Sequence, residues 1–316
     1  MRLPERIQNL IDQRAASLPQ AALEQASVTL SAHYREGRAT AALGLSAEER
    51  VVSYLVTRLP ATFAAAAAVM EVVHRRLGGI RVSSVLDLGA GTGAATLAAR
   101  EVFPELADAT LVEPDPALAA AGKLALPGDR WIEGNLLDVA SPETHDLVIA
   151  SYALGELPPS ERAVAVSRAW QAARVALVVI EPGTTRGFTL VRDIRDRLLK
   201  QGARMIAPCP TDDACPIISP DWCHFAARVE RSSLHRRMKK GALSYEDEKF
   251  SYVALARAFA GRAPGRVIRR PAAHTGWVEL TICANGGIHQ ERVSRKQGAT
   301  YRAARKANWG DAWPPD

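Results

Sequence analysis

Apolar residues recur at helical spacing from the first turn of the chain. Leu3, Ile7, Leu10 and Ile11 share one face, the repeat of an amphipathic helix. Ser46, Ala47, Glu48 and Glu49 fit a capping box ahead of Val51, Leu55 and Leu59. Pro60 divides that helix from an alanine-rich one that closes at Gly78 and Gly79. Residues 1–80 are therefore expected to form an N-terminal helical cap. From Ser83 the period changes. Short apolar runs at 85–88, 110–112, 130–133, 147–150 and 175–180 alternate with segments of helical pattern, which predicts a doubly wound, mostly parallel α/β sheet. After Glu181 the alternation stops. A helix over 186–200 leads into a Pro- and Cys-bearing segment, 208–223, followed by a basic helix around 226–240. Runs at 250–256 and 277–283 are expected to complete the sheet, and 286–316 to add one strand and a basic helix at 300–306. The expected division is 1–80 helical, 81–183 sheet core, 184–248 insertion, and 249–316 final strands with a basic end. No internal repeat is present.

Composition adds little to this picture until charge is divided along the chain. Of 316 residues, 47% are apolar and 23% charged, which excludes disordered, collagenous and disulfide-scaffold classes. The longest apolar stretch, 61–73, is mostly alanine and is interrupted by Glu71, too short for a membrane span. Arg2, Glu5, Arg6, Asp12 and Arg14 leave no apolar run in the first twenty residues, so no secretory signal is expected and the cytoplasm is the expected compartment. Residues 1–223 carry 22 Lys and Arg against 26 Asp and Glu, whereas 224–316 carry 18 against 8. A basic C-terminal third points to a polyanionic partner, because clustered Lys and Arg exchange condensed counterions for phosphate contacts. A solvated basic face without a partner is the alternative.

Residues 85–93, Val-Leu-Asp-Leu-Gly-Ala-Gly-Thr-Gly, run a strand into a glycine turn and a helix. Such a turn lets a nucleotide-like ligand approach backbone amides at the helix N-terminus. Glu113, twenty residues past Gly93, ends the second run, where a carboxylate accepts hydrogen bonds from ribose hydroxyls. Gly89, Gly91 and Ala94 also satisfy the looser dinucleotide pattern. Asp87 favours S-adenosylmethionine instead, since a carboxylate there holds an ammonium group and repels a pyrophosphate. Residues 134–138, Gly-Asn-Leu-Leu-Asp, follow the third run, where an amide reads an adenine edge. The pattern resembles the class I S-adenosylmethionine-dependent methyltransferase fold. Asp87, Gly89, Gly91, Gly93, Glu113, Asn135 and Ser151 are the expected cofactor-binding residues. No catalytic residue is assigned. Ser151 to Glu156 reads Ser-Tyr-Ala-Leu-Gly-Glu, unlike the acidic or Asn-Pro-Pro-aromatic loop of amino-methylating enzymes. Strands four and five also lack the terminal cysteine that cytosine C5 methylation needs.

The four cysteines are Cys209, Cys215, Cys223 and Cys283. Three lie in one loop punctuated by Pro208, Pro210, Pro216 and Pro220. Zinc sites usually use two short knuckles, whereas wide gaps and Cys-Pro dipeptides suit a larger cubane cluster. Buried free thiols are the alternative, and His224 is a further candidate ligand.

Pro208-Cys209-Pro210, Ala214-Cys215-Pro216, the stretch 221–225 (Asp-Trp-Cys-His-Phe), the stretch 245–252 (Tyr-Glu-Asp-Glu-Lys-Phe-Ser-Tyr) and Glu181-Pro182-Gly183-Thr184 together resemble the Rsm family. These are methyltransferase-like proteins of the small ribosomal subunit, including mitochondrial ribosome assembly factors. The high Arg and Ala content suggests a bacterial member. The resemblance implies a [4Fe-4S] cluster on Cys209, Cys215, Cys223 and Cys283, and association with small-subunit rRNA. DNA and membrane partners are not expected. Two further readings stand beside an rRNA methyltransferase: a non-catalytic ribosome assembly scaffold, and a small-molecule methyltransferase with an unrelated basic tail. For RNA contact the expected residues are Arg228, Arg231, Arg236, Arg237, Lys239 and Lys240. A second run comprises Arg292, Arg295, Lys296, Arg302, Arg305 and Lys306, with Tyr301, Trp309 and Trp313 as candidate stacking residues.

Overall fold

The computed structural model describes residues 2–36, 44–137, 143–239, 241–258 and 261–315. Asp138 and Lys240 lie outside the described residues. In chain order the elements begin α1 Glu5–Ala15, α2 Gln20–Glu36, α3 Ala47–Thr57, α4 Leu59–Leu77, β1 Ser84–Leu88, α5 Ala94–Val102, β2 Asp108–Glu113 and α6 Pro116–Ala125. They continue with β3 Arg130–Glu133, β4 His145–Ser151, α7 Pro159–Ala172, β5 Ala173–Pro182, α8 Thr185–Lys200, β6 Arg204–Ala207 and β7 Phe225–Glu230. The last are α9 Ser233–Met238, β8 Tyr245–Ala256, β9 Gly265–Val267, β10 Ala272–His274, β11 Trp277–Ala284, β12 Gly287–Ser294, α10 Ala299–Ala304 and β13 Ala312–Trp313. Among the described residues no single helix is long and apolar enough to cross a membrane.

The chain divides into two compact units, the first comprising Met1–Glu71, Arg81–Arg174 and Ala227–Glu248. In it the strands stand in the order β3-β2-β1-β4, all parallel, with Leu86 opposite Thr110 and Val148. Every residue of β1 is buried, as a central parallel strand covered on both faces requires. Local chemistry fixes where some of these helices begin. Asp115 caps α6 by accepting from the Ala117 and Leu118 amides, with Pro116 at its first position. Ser46 and Glu49 close the expected capping box on α3. Helices α1 and α2 pack on α3 through Ile7, Ile11, Leu23 and Leu55, all buried.

The second unit comprises Val72–Ile80, Val175–Ala226 and Lys249–Asp316. Here β5 and β6 both pair antiparallel with β8. A separate five-stranded sheet has the order β10-β11-β9-β13, with β12 also paired to β11. This corrects the expectation that the run at 277–283 completes the main sheet. Besides β5, the neighbours of β8 are β6, which the sequence pattern does not reveal, and β7. The reason lies in the alternation of β11. Val278, Leu280 and Ile282 are buried while the residues between them are not, so β11 covers a core on one face only. That core contains Val293, Ala304 and Trp313. The basic helix expected at 226–240 is also corrected. Phe225, Ala227 and Val229 alternate with exposed residues in β7, and helix begins only at Ser233, capped by Ser232.

Candidate functional site

In the first unit the glycine turn leaves β1 with Gly89, Gly91 and Gly93 all in the left-handed region, at φ of 72°, 57° and 85°, which side chains bearing a Cβ rarely adopt. Each also meets close protein. A Cβ on Gly89 would stand 2.4 Å from the Ala153 Cβ, and one on Gly91 would stand 2.7 Å from the Tyr54 hydroxyl. The Tyr54 side chain, not foreseen from sequence, therefore comes directly over the middle glycine.

Asp87 is 1% exposed. Its Oδ2 accepts from the Thr96 amide (3.1 Å) and hydroxyl (2.8 Å), while its Oδ1 is buried without a partner. The hydroxyls of Thr92 and Ser151 are buried and unpartnered too. Glu113 accepts from the Gly91 amide at 2.7 Å and from the Asp115 amide at 2.9 Å. Asn135 accepts a long bond from the Leu137 amide, 3.4 Å. The structure thus places Asp87, Gly91 and Glu113 around one turn, with Ser151 at the end of β4.

This turn carries an unusual density of buried acid. Burial, against the Thr96 hydrogen bonds, pushes Asp87 up to about 6. Burial likewise lifts Glu113 to about 7, with the Gly91 hydrogen bond and Arg50 opposing. Glu156, an exposed residue next to this turn, is raised as well, by desolvation of its carboxyl and then repulsion from Glu113. Poorly solvated carboxylates favour protons or a bound cation. Arg50 pairs with Asp115, and Arg58 lies 3.7 Å from Glu248. Tyr152, directly after β4, has φ 57°, and its hydroxyl donates to Glu248 at 3.0 Å. A left-handed tyrosine stores strain that its surroundings must hold. Sequence reasoning singled out none of Tyr54, Arg50, Arg58, Tyr152 or Glu156 as a site residue; only the Tyr152–Glu156 loop drew attention, for its departure from known motifs.

In the second unit all four cysteines line one cavity of about 50 Å³, together with Arg195 and Arg266. Phe188, Ile217 and Ile268 form the apolar wall beside Cys215, Cys223 and Cys283. The loop is anchored by the Trp222 indole, which donates to the Gly183 carbonyl at 3.0 Å, and by Ser251, which donates to the Cys223 carbonyl at 2.8 Å. Burial and the neighbouring thiols push Cys283 up to about 12. Burial and the other three thiols raise Cys223 as well, and burial raises Cys209 against the opposing charge of Arg195. Among the described residues no group of three or more His, Cys, Asp or Glu is arranged to hold a metal ion. His224 does not line the cavity; its ring lies 5.3 Å from Trp222 and 4.4 Å from Trp309.

The basic runs differ from expectation. Arg228 pairs with Asp247, and Arg231 and Lys239 pair with Glu246, so half of the first run is neutralised by the acidic stretch that opens β8. In the C-terminal run Arg295, Lys296, Arg302, Arg305 and Lys306 are exposed. Among the described residues Trp313 is core, 5% exposed, and its indole donates to Glu291. It is not a platform for bases.

A family model described as mitochondrial small ribosomal subunit Rsm22 matches residues 48–314. The human mitochondrial ribosome assembly protein METTL17 is 29% identical over 290 residues, covering 83% of this chain and 62% of that protein. Rsm22-cox11 tandem protein 2, a mitochondrial protein of Schizosaccharomyces pombe, is 24% identical and covers 84% of this chain and 43% of that protein. The chain thus spans less than two thirds of the length of these relatives. Among solved structures, magnesium protoporphyrin IX methyltransferase from Synechocystis PCC 6803 with bound S-adenosylmethionine aligns over 73% of this chain and 92% of its own, at 11% identity and a TM-score of 0.41.

Proposed function

The chain belongs to the Rsm22 family, and we propose that it is a methyltransferase-like protein that binds S-adenosylmethionine and an iron–sulfur cluster and works with small-subunit rRNA in ribosome assembly. The observation that carries this reading is the cavity ringed by all four cysteines of the chain. Thiols set around a cavity suit the larger cubane cluster, held by Cys209, Cys215, Cys223 and Cys283.

The residues of the glycine turn fit the methyl donor in charge. The unpartnered Asp87 Oδ1 suits the methionine ammonium, Glu113 the ribose hydroxyls, and Asn135 the adenine edge. Gly89 and Gly93 shape the turn between them, and the Ser151 hydroxyl adds a polar atom at the end of β4. When bound, the donor supplies an electrophilic methyl group on a sulfonium. The protein's part is to hold that cation against buried carboxylates.

One observation favours a second reading, the non-catalytic assembly scaffold. The glycine turn is crowded by protein: the Tyr54 hydroxyl stands beside Gly91, and Glu113 already accepts from two amides. Anaerobic purification followed by iron and sulfide analysis, and titration with S-adenosylmethionine by calorimetry, tests the reading. Iron and sulfide with donor binding support it. Iron with no donor binding selects the scaffold, and zinc alone removes the cluster.

A further inference from the structure

Arg195 on α8 and Arg266 on β9 are each 4% exposed and line the thiol cavity. Buried arginine is rare unless its charge is answered. Arg266 donates from Nε to the Pro208 carbonyl at 3.0 Å and from Nη1 to the Gly310 carbonyl at 2.7 Å, and among the described residues no carboxylate pairs with it. Its Nη2 is buried with no acceptor. Arg195 donates to the Thr211 carbonyl at 3.0 Å and to the Asp213 carbonyl. It also pairs with Asp196 at 2.5 Å, a side chain 43% exposed, and its Nε is buried with no acceptor. Two guanidinium groups thus clamp the backbone around Cys209 and up to Cys215 from opposite elements. Arg266 keeps one nitrogen without a partner, and Arg195 also hydrogen-bonds the Cys209 thiol. Across the second sheet Arg266 stands opposite Cys283 itself.

Four neutral thiols do not answer this charge. A four-iron cluster in its oxidised state, with four thiolates, is a dianion, and its sulfurs accept N–H donors. Resting on the cluster reading above, we propose that Arg195 and Arg266 are positioning residues that offset the negative charge of the cluster and donate to its sulfur atoms, and that they thereby raise its midpoint potential. Asp196 screens Arg195 from the solvent side, so Arg266 carries the larger share.

The test compares the wild-type protein with Arg266→Gln and Arg266→Lys, all purified anaerobically. Iron and sulfide content, the visible charge-transfer band and the midpoint potential are measured. Glutamine retains an N–H donor for the neighbouring carbonyls and loses the charge; lysine keeps the charge and loses the planar fork. The expected result is that Arg266→Gln lowers the equilibrium constant for cluster reduction at least about tenfold, a shift of about 59 mV for one electron, while Arg266→Lys stays near wild type. An unchanged potential in the glutamine variant overturns the proposal. Should the glutamine variant assemble no cluster, a loaded lysine variant supports the charge role, and an empty one assigns Arg266 to loop geometry alone and overturns it. Absence of iron from the wild-type protein overturns both this proposal and the cluster reading, whereas iron with an unchanged potential overturns this proposal alone.

Discussion

Replacing Asp87 by asparagine tests the electrostatics of the glycine turn most directly. The carboxyl ordinarily titrates at 3.8 and is lifted to about 6 in the folded protein by burial. A folded value above the unfolded one means that the native state holds its proton longer. Stability is therefore full below pH 3.8 and declines as pH rises through about 6. At 1.36 kcal/mol for each pH unit between the two values, the buried charge costs roughly 3 kcal/mol at pH 8. Asparagine is nearly the same shape and its carbonyl still accepts from the Thr96 amide and hydroxyl, so the cost disappears while the local hydrogen bonds remain. Urea unfolding at pH 4 and pH 8 should show Asp87→Asn nearly equal to wild type at the lower pH. At the higher pH it should be more stable by up to about 3 kcal/mol. Glu113 is present in both proteins and enters the difference only through its repulsion of Asp87, the smallest of the causes of the shift. A cationic donor stabilises the charged carboxylate. Wild-type affinity for S-adenosylmethionine should accordingly rise between pH 5 and pH 8, with protons released on binding, and the variant should lose both affinity and its pH dependence. Equal pH profiles of stability for the two proteins, or undiminished donor binding by the variant, would refute the reasoning.

Gly91→Ala should cost on the order of 1–3 kcal/mol from its left-handed backbone, with a further penalty against the Tyr54 hydroxyl that Tyr54→Phe relieves; urea unfolding of the single and double variants separates the two. Cys215→Ser should abolish iron and sulfide in the anaerobic protein and increase proteolysis within the 208–223 loop; retained iron in normal amount would count against its role as a ligand. Glu246 is partly buried, which disfavours its charge, yet hydrogen bonds from His235, Lys239 and Arg231 outweigh this and hold its carboxyl well below the ordinary 4.5. Its contribution is present above pH 4.5 and lost as the medium is acidified further, and Glu246→Gln should remove that acid sensitivity at a cost below the roughly 3–5 kcal/mol of a broken, fully buried pair. Small-subunit rRNA affinity should fall steeply with salt, and neutralising Arg295, Lys296, Arg302, Arg305 and Lys306 should flatten the slope by about 0.7 per lost single-strand phosphate contact. Neutralising Arg228, Arg231 and Lys239 should change the slope little, because their charges are already answered.

The local pattern alone determined the strands of the parallel sheet, the capping box at Ser46, the glycine turn and its two carboxylates, since each is written in residues close together in the chain. Continuous apolar runs such as Val85 to Leu88 admit one environment, burial on both faces, and a central parallel strand follows. Partner choice was not legible in the same way. Strand β11 alternates buried and open positions, which specifies a covered face but not which core covers it, and only tertiary packing against Val293 and Trp313 assigned it to a second sheet. The meeting of Cys283 with the 209–223 loop, the neutralisation of Arg231 by Glu246, the approach of Tyr54 to Gly91 and the burial of Arg195 and Arg266 join residues distant in sequence or on different elements. Each depends on where the backbone carries a side chain whose local context is equally compatible with solvent. Charge is the clearest case: an arginine reads alike on a surface helix and in a thiol cavity, and only the folded chain decides whether water, a carboxylate or a cluster must answer it.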